Sequence, residues 1–451
     1  PTMIIIVGIR SRQRKHDKFS VTYNIIKTVS FLRLNRITIH GCTPWSKLFL
    51  FLSGTRNKQY CYQKQQRGKK FCFHITNAIQ NYELYCIYIL KWLFLQGIIR
   101  KLPFKAMMKP LHELVRTSIW ELATNDESSK ATAKQDDQIL LDANENPYNW
   151  PLNRYPDSLQ YELKTELARI RDVVPSKIFV GNGIHEAADL CFRIFCQPQK
   201  DNVVAIEPTD SVYKKLANIN DVEYRSVALD DNFELHACKL LSACDKNTKI
   251  IWLCSPNNPT GNNLNGEQME EILRGFDGIV VIDESYSDFS TEPVFRNRID
   301  EFPNIIVLNT MNNSWGCAAL NIGTAYSSPD IIKLFNAVKY PYNISKPTQE
   351  QAVEILRDGS ETDKFVSIIC QERNRLLLAF AELPYCERVY PSQANFILVK
   401  MTNAKAVYSY LIEKGICVSN LSDVVLCNNC LRITIGTKNE NLLLLSALRQ
   451  Y

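Results

Sequence analysis

The sequence predicts an α/β protein: a large domain built on a mainly parallel sheet flanked by helices, followed by a smaller α+β domain. Two observations carry this. From about Lys177 onward, short β-branched runs alternate with longer helical patterns, and strand–helix alternation implies a mainly parallel sheet covered on both faces. After Thr348 the pattern changes to two long helical stretches followed by single strand-like and helical segments.

Taken in order, the candidate strands are Ile178–Val180, Asn202–Ile206, Val222–Val227, Lys249–Leu253, Gly278–Ile282, Asn304–Leu308 and Gly323–Tyr326. Helical segments between them include His185–Phe195, Gly266–Gly275 and Pro329–Ala337. Ligands of such sheets sit at the C-terminal ends of the strands, so chemistry is expected just after each strand. The C-terminal part reads as helices Gln349–Leu356 and Ser367–Leu383, a strand Ala394–Lys400, a helix Ala404–Lys414 and a strand Cys430–Ile435. No internal repeat or low-complexity tract interrupts this order.

With 45% apolar and 22% charged residues over 451 positions, the chain has the balance of a soluble globular protein with room for two or three domains. Its net charge of +6 hides two opposite parts. Residues 1–107 hold 19 lysines and arginines against only Asp17 and Glu83, and the rest holds 34 basic and 45 acidic groups. This asymmetry marks a boundary near Met107–Met108. The first 107 residues show no sustained helical or strand periodicity and no secretory signal. Their most membrane-like run, Leu84–Ile99, is too short to span and is interrupted by Lys91 and Gln96. Basic charge with Tyr60, Tyr62 and Phe71 is compatible with nucleic-acid binding, but no helix-turn-helix or RNA-binding motif accompanies it. Met108 opens a segment that reads as a natural protein start. Residues 1–107 are therefore expected to be a basic extension outside the enzyme fold, and neither nucleic acid nor membrane is an expected partner. The 15 cysteines form no disulfide pattern. Cys427 and Cys430 lack a second pair at zinc spacing, so no metal site is expected, and reduced thiols point to the cytoplasm.

Six motifs follow one another: Leu141-Asp-Ala-Asn-Glu-Asn-Pro-Tyr, Arg154-Tyr-Pro-Asp, Gly181-Asn-Gly, Cys254-Ser-Pro-Asn-Asn-Pro-Thr-Gly, Ile282-Asp-Glu-Ser-Tyr and Leu431-Arg-Ile-Thr-Ile-Gly. In this order they closely resemble histidinol-phosphate aminotransferases, pyridoxal 5′-phosphate (PLP) enzymes of fold type I, from about Met108 to Tyr451. The resemblance implies an N-terminal arm and substrate loop over 108–160, a large cofactor domain over 161–345 and a small domain over 346–451. It also implies a cytoplasmic homodimer that moves an amino group between histidinol phosphate and 2-oxoglutarate in histidine biosynthesis.

The resemblance assigns roles residue by residue. Asp283 matches the carboxylate that holds the proton on the pyridine nitrogen, without which the ring draws electrons poorly. Asn258 and Tyr286 match the donors to the cofactor's phenolate oxygen. Gly183, Ile184 and His185 open the helix whose N-terminus faces the phosphate. Tyr155 matches a tyrosine that reaches that phosphate from the other subunit. Arg432 matches the clamp on the substrate carboxylate, and Asn146 a residue on the substrate side.

The sequence departs from the family where chemistry is done. The family's T-x-S-K-A-F-G-x-A-G-x-R-x-G is here Thr310-Met-Asn-Asn-Ser-Trp-Gly-Cys-Ala-Ala-Leu-Asn-Ile-Gly. Asn313 therefore stands at the Schiff-base lysine, Asn312 at the phosphate-binding serine and Asn321 at the phosphate-binding arginine. Ile184 and His185 replace serine and aspartate, Asp210 replaces the stacking tyrosine, and Ser419 replaces an arginine for the substrate phosphate. An amide neither forms an imine nor shuttles a proton. The expectation is a catalytically defective relative with weak, non-covalent PLP binding. The alternatives are an active enzyme whose sequence is altered, and a non-catalytic regulator or binding protein on the same fold.

Overall fold

The computed structural model describes residues 48–51, 59–66, 69–76, 109–125 and 139–451. The run Leu84–Ile99 and Met108 lie outside them. The chain divides into two compact units, Pro1–Leu102 and Pro103–Tyr451. The first contains an antiparallel meander of β1 (Leu48–Phe51), β2 (Gln59–Gln66) and β3 (Lys69–Thr76). Sequence patterning shows no alternation there, because lysines and glutamines interrupt the apolar positions. Backbone pairing rather than a two-faced pattern defines these strands.

The second unit opens with α1 (Leu111–Leu114), α2 (Thr117–Asn125) and α3 (Tyr161–Arg171). The alternating part follows: β4 (Ile178–Asn182), α4 (Gly183–Phe195), β5 (Asn202–Glu207), α5 (Val212–Ile219), β6 (Glu223–Ala228), α6 (Ala237–Ser242), β7 (Thr248–Cys254), α7 (Gly266–Gly275), β8 (Ile279–Asp283), β9 (Ile305–Thr310), β10 (Ile322–Tyr326) and α8 (Pro329–Val338). These seven strands form one sheet in the order β4-β10-β9-β8-β7-β5-β6. All neighbours are parallel except β10, which runs antiparallel to both β4 and β9.

The strands are buried on both faces, and their period of two sorts side chains into two cores. Val204, Ile251, Leu253, Val280, Ile282 and Val307 face one. Val203, Ile250, Trp252, Val281, Ile306 and Leu308 face the other. Each strand thus serves two helical layers. Helix starts are set by side-chain caps: Asn265 for α7 and Ser328 for α8 accept first-turn N–H groups.

After α9 (Lys346–Asp358), whose Ala352, Val353 and Leu356 pack into the first of these cores, the small domain comprises α10 (Thr362–Ala381), β11 (Cys386–Val389), β12 (Phe396–Met401), α11 (Ala404–Glu413), β13 (Ser419–Asn420), β14 (Cys430–Thr434) and α12 (Lys438–Arg449). Its sheet is antiparallel, in the order β11-β12-β14-β13. Leu376, Phe380, Ile397, Val399, Leu411 and Leu444 close a third core over it. Among the described residues no helix is long and apolar enough to cross a membrane, and no group of three or more His, Cys, Asp or Glu side chains is placed to hold a metal ion. The cysteines from Cys191 onward are free thiols.

Candidate active site

Parallel strands put their C-terminal ends on one edge of the sheet, and Asp283, Asp210, Asn258, Asn312 and Asn313 end or follow strands there. Asp283 is the last residue of β8 and is 3% exposed. Its Oδ1 accepts from the Ser285 N–H at 2.9 Å and from the Ser285 hydroxyl, and its Oδ2 accepts from the Tyr213 hydroxyl at 2.6 Å. Burial pushes its carboxyl above the usual carboxylate range, the Ser285 and Tyr213 hydrogen bonds oppose this, and the charge of Asp210 adds to the rise. Burial likewise raises the Tyr213 and Tyr286 phenols. Tyr213 is a partner that reading the sequence missed. Its only signal is a position three residues beyond Asp210, on the helix after β5.

Asn258 follows β7. Its Nδ2 donates to Asp210 Oδ2 at 2.8 Å, and its Oδ1 accepts from Arg432 Nη1. Arg432, on β14, also donates to Ser419 Oγ at 3.3 Å and lies over the Phe396 ring, 5.5 Å from its centroid. Tyr286 packs edge-on against the same ring at 5.1 Å. Asp210, Asn258, Arg432 and Ser419 thus form one chain of contacts linking the large and small sheets. Arg432 is half-buried and carries the positive charge of that chain.

The turn after β9 carries Asn312 and Asn313. Asn313 Nδ2 donates to the Ser285 carbonyl at 3.0 Å, and next to it Ser314 Oγ donates to Asp288 Oδ2. Asp288 is held in turn by both guanidinium nitrogens of Arg171, at 2.6 and 2.9 Å. Although burial opposes it, the Arg171 charge holds the Asp288 carboxyl below the usual range.

At the start of α4, Gly183 has φ +72°, a conformation open to glycine at little cost. A Cβ on Gly323 of β10 would lie 2.2 Å from the Gly183 carbonyl carbon and the Ile184 nitrogen, so strand and helix start meet backbone to backbone. Asn312 Nδ2 donates to Asn321 Oδ1 at 3.2 Å, and Asn321 Nδ2 donates to Asn182 Oδ1 at 3.0 Å. Three neutral amides hydrogen-bond in a row beside the helix N-terminus. Asn312 Oδ1 is left buried without a donor. Ile184 is half-buried and His185 is exposed on the first turn.

Asn146 and Tyr155 both make contacts within the single chain. Asn146 Oδ1 accepts from the Tyr148 N–H at 3.0 Å, an ordinary Asx turn. Tyr155 is 49% exposed and stacks on Tyr342, with centroids 4.4 Å apart and planes at 9°.

Residues 118–448 match the family described as aminotransferase class I and II. The chain is 49% identical over 348 residues to the histidinol-phosphate aminotransferase of Bacteroides thetaiotaomicron, an alignment covering 76% of this chain and 99% of that one. The chain belongs to the histidinol-phosphate aminotransferase family. The enzyme of that name from Parabacteroides distasonis is 48% identical over 342 residues, again covering 76% and 99%. Among solved structures, the histidinol-phosphate aminotransferase from Clostridium acetobutylicum superposes with a TM-score of 0.62 at 22% identity, covering 66% of this chain and 90% of that one. The enzyme from Sinorhizobium meliloti, solved in complex with pyridoxal 5′-phosphate, gives 0.59 at 22%, covering 66% and 82%. These neighbours establish PLP-dependent fold type I.

Membership in this family implies PLP, and the residues fit it at one end only. A buried carboxylate at a strand end, with lone pairs beyond those used by Ser285 and Tyr213, suits a protonated ring nitrogen. The other end does not fit. Asn313, in the turn after β9, offers an amide, which cannot form an imine. Beside the helix N-terminus stand amides in place of cations, and the orphaned Asn312 Oδ1 is an acceptor that a phosphate dianion cannot satisfy.

Proposed function

We propose that this chain is a histidinol-phosphate aminotransferase homologue that has kept the fold and the ring-side groups but has lost transamination. One observation carries the reading: Asn313, in the turn after β9, hydrogen-bonds the Ser285 carbonyl through an amide, and no amide supplies the imine or the mobile proton that amino transfer needs. Asp283, Asn258 and Tyr286 are the residues left to meet PLP, with Gly183, Ile184 and His185 presenting N–H groups to its phosphate. Asp210, Asn312 and Asn321 stand at altered positions of the same pocket. Binding is then weak and non-covalent, because each lost charge-assisted bond removes about 1.5–3 kcal/mol. Arg432 remains for a substrate carboxylate, while Ser419 offers a substrate phosphate a hydroxyl in place of a cation and Asn146 lies on the substrate loop.

The protein is proposed to be a homodimer. Ile139, Leu141, Tyr148, Trp150 and Leu152 are between 65% and 89% exposed in the single chain, an apolar arm of the kind that marks an interface. Tyr155 would then meet the partner's pocket. Free thiols from Cys191 onward suit the reducing cytoplasm.

The test is to add PLP to the purified full chain, record its visible spectrum, reduce with borohydride and map the product. Free-cofactor absorbance with no label on any lysine is the expected result. A lysine labelled by borohydride, together with turnover of histidinol phosphate, would establish the active-enzyme alternative instead.

A further inference from the structure

A cavity of about 470 Å³ lies apart from the strand-end site, among the segment after β7, the first turns of α7 and the segment after β8. Successive residues of a strand face opposite sides, and the chain keeps to this just past the end of β8. Asp283 meets Tyr213 of the strand-end site, whereas Glu284 turns to the cavity side and accepts from the Phe295 N–H at 2.5 Å. The volume is that of a small-molecule site.

Glu284 is the buried acid of this cavity, in a residue that is 2% exposed. Its Oε1 is used by Phe295, but its Oε2 has no hydrogen-bond donor. Arg296 does not supply one. Its Nη1 stands 3.6 Å from Oε2, and its Nε and Nη1 are themselves buried without acceptors. Burial raises the Glu284 carboxyl to about 7 against the Arg296 charge, as befits a carboxylate short of positive partners. An open acceptor at this depth is costly for folding alone.

The rest of the lining indicates which donor fits. Glu267 and Glu292 line the cavity at exposed positions, and among the described residues neither joins an ion pair. Arg298 also lines it, but its guanidinium is held by Glu270 and Glu301, at 3.1 and 2.6 Å. The free charge facing the cavity is therefore negative. Leu264, Met269 and Phe295 are buried and give it apolar walls. Among the described residues no acids are grouped to hold a metal ion. Carboxylates set apart along apolar walls suit an alkyl chain with an ammonium at each end.

We propose that this cavity is a binding site for a linear aliphatic diamine. One ammonium donates to Glu284 Oε2, the methylene chain lies along Leu264, Met269 and Phe295, and the second ammonium stays with Glu267 and Glu292 at the mouth. A carboxylate accepts from several donors at once, so Arg296 on one side of Glu284 leaves room for the ammonium on the other. No bond is made or broken.

Isothermal titration of the full chain with putrescine, and with butylamine as the single-charge control, tests this. Putrescine is expected to bind saturably, one per chain, and several-fold tighter than butylamine. Glu284→Gln should weaken putrescine at least about tenfold, the worth of one charge-assisted hydrogen bond, in chain that still unfolds cooperatively. Glu267→Gln with Glu292→Gln, both at exposed positions, should bring putrescine down to the affinity of butylamine. Heat that never saturates overturns the proposal. So does equal affinity for the two amines in the natural chain, or an affinity for putrescine unchanged by Glu284→Gln. None of these outcomes depends on whether PLP binds.

Discussion

Asn313 and its neighbours are held by hydrogen bonds between amides and backbone. The Asn313 amide finds the Ser285 carbonyl, and Asn312, Asn321 and Asn182 hydrogen-bond in a row. Within that row Asn312 Oδ1 stays buried without a donor. Restoring Asn313→Lys alone is expected to give at most slow turnover, since the phosphate end stays neutral. Adding Asn321→Arg should tighten PLP about tenfold, the worth of one charge-assisted bond. That gain is reduced by the strain of placing arginine at the Asn321 φ of +49°. Equilibrium dialysis of PLP against the single and double variants checks it, and equal affinities would remove Asn321 from the phosphate site.

Glu284, beside Asp283, supports a prediction about pH. Its Oε2 is buried without a hydrogen bond, 3.6 Å from Arg296 Nη1. Burial raises its carboxyl to about 7, against the charge of Arg296 and the backbone N–H of Phe295. A carboxyl raised on folding contributes stability below its unfolded value that is lost as pH rises through the folded one. The stability of the natural chain relative to Glu284→Gln should therefore fall by about 2–3 kcal/mol between pH 4.5 and about 7. Urea titrations of both proteins across that range measure it, and parallel curves would contradict it.

At the scale of elements, the site is held by contacts between segments far apart in sequence. β10 presses its backbone on the start of α4 at Gly323, where a Cβ would meet atoms at 2.2 Å. Gly323→Ala is expected to cost at least about 3 kcal/mol, as overpacking against backbone does. Gly316 is the matched control: its φ is +65°, but a Cβ there would meet nothing within 4 Å. Gly316→Ala should cost only about 1–2 kcal/mol. Urea midpoints of the two variants separate close approach from backbone strain, and equal losses would mean that packing at Gly323 yields. The Arg171–Asp288–Ser314 contacts tie α3 to the turn bearing Asn313 in a similar way. None of these partners stood out in the sequence, because an arginine late in a surface-patterned helix and a serine in a turn are commonplace.

For the whole molecule, the exposed apolar arm and the two compact units each make a prediction. Leu141→Glu with Trp150→Glu should convert a dimer to monomer by light scattering, since both side chains lie more than four-fifths exposed in the single chain. A natural chain that is already monomeric would end the dimer reading. Residues 103–451 form a unit with its own three cores. A chain starting at Met108 should therefore keep the stability of the core domain within about 1 kcal/mol in urea unfolding, and a large loss would make the basic segment part of the fold.

By itself the sequence determined the family, the strand–helix order, and the strand-end location of Asp283, Asn258 and Asn313. Each of these is local: periodicity within one element, or a motif within a few residues. Tertiary structure alone decided the reversal of β10 and the pairing of Asp283 with Tyr213. It also decided the locking of Asn258 between Asp210 and Arg432, and the amide row at the helix start. Those depend on which distant segments the sheet brings together, and on how much water each polar group loses when it does. Neither quantity is written in any short stretch of chain.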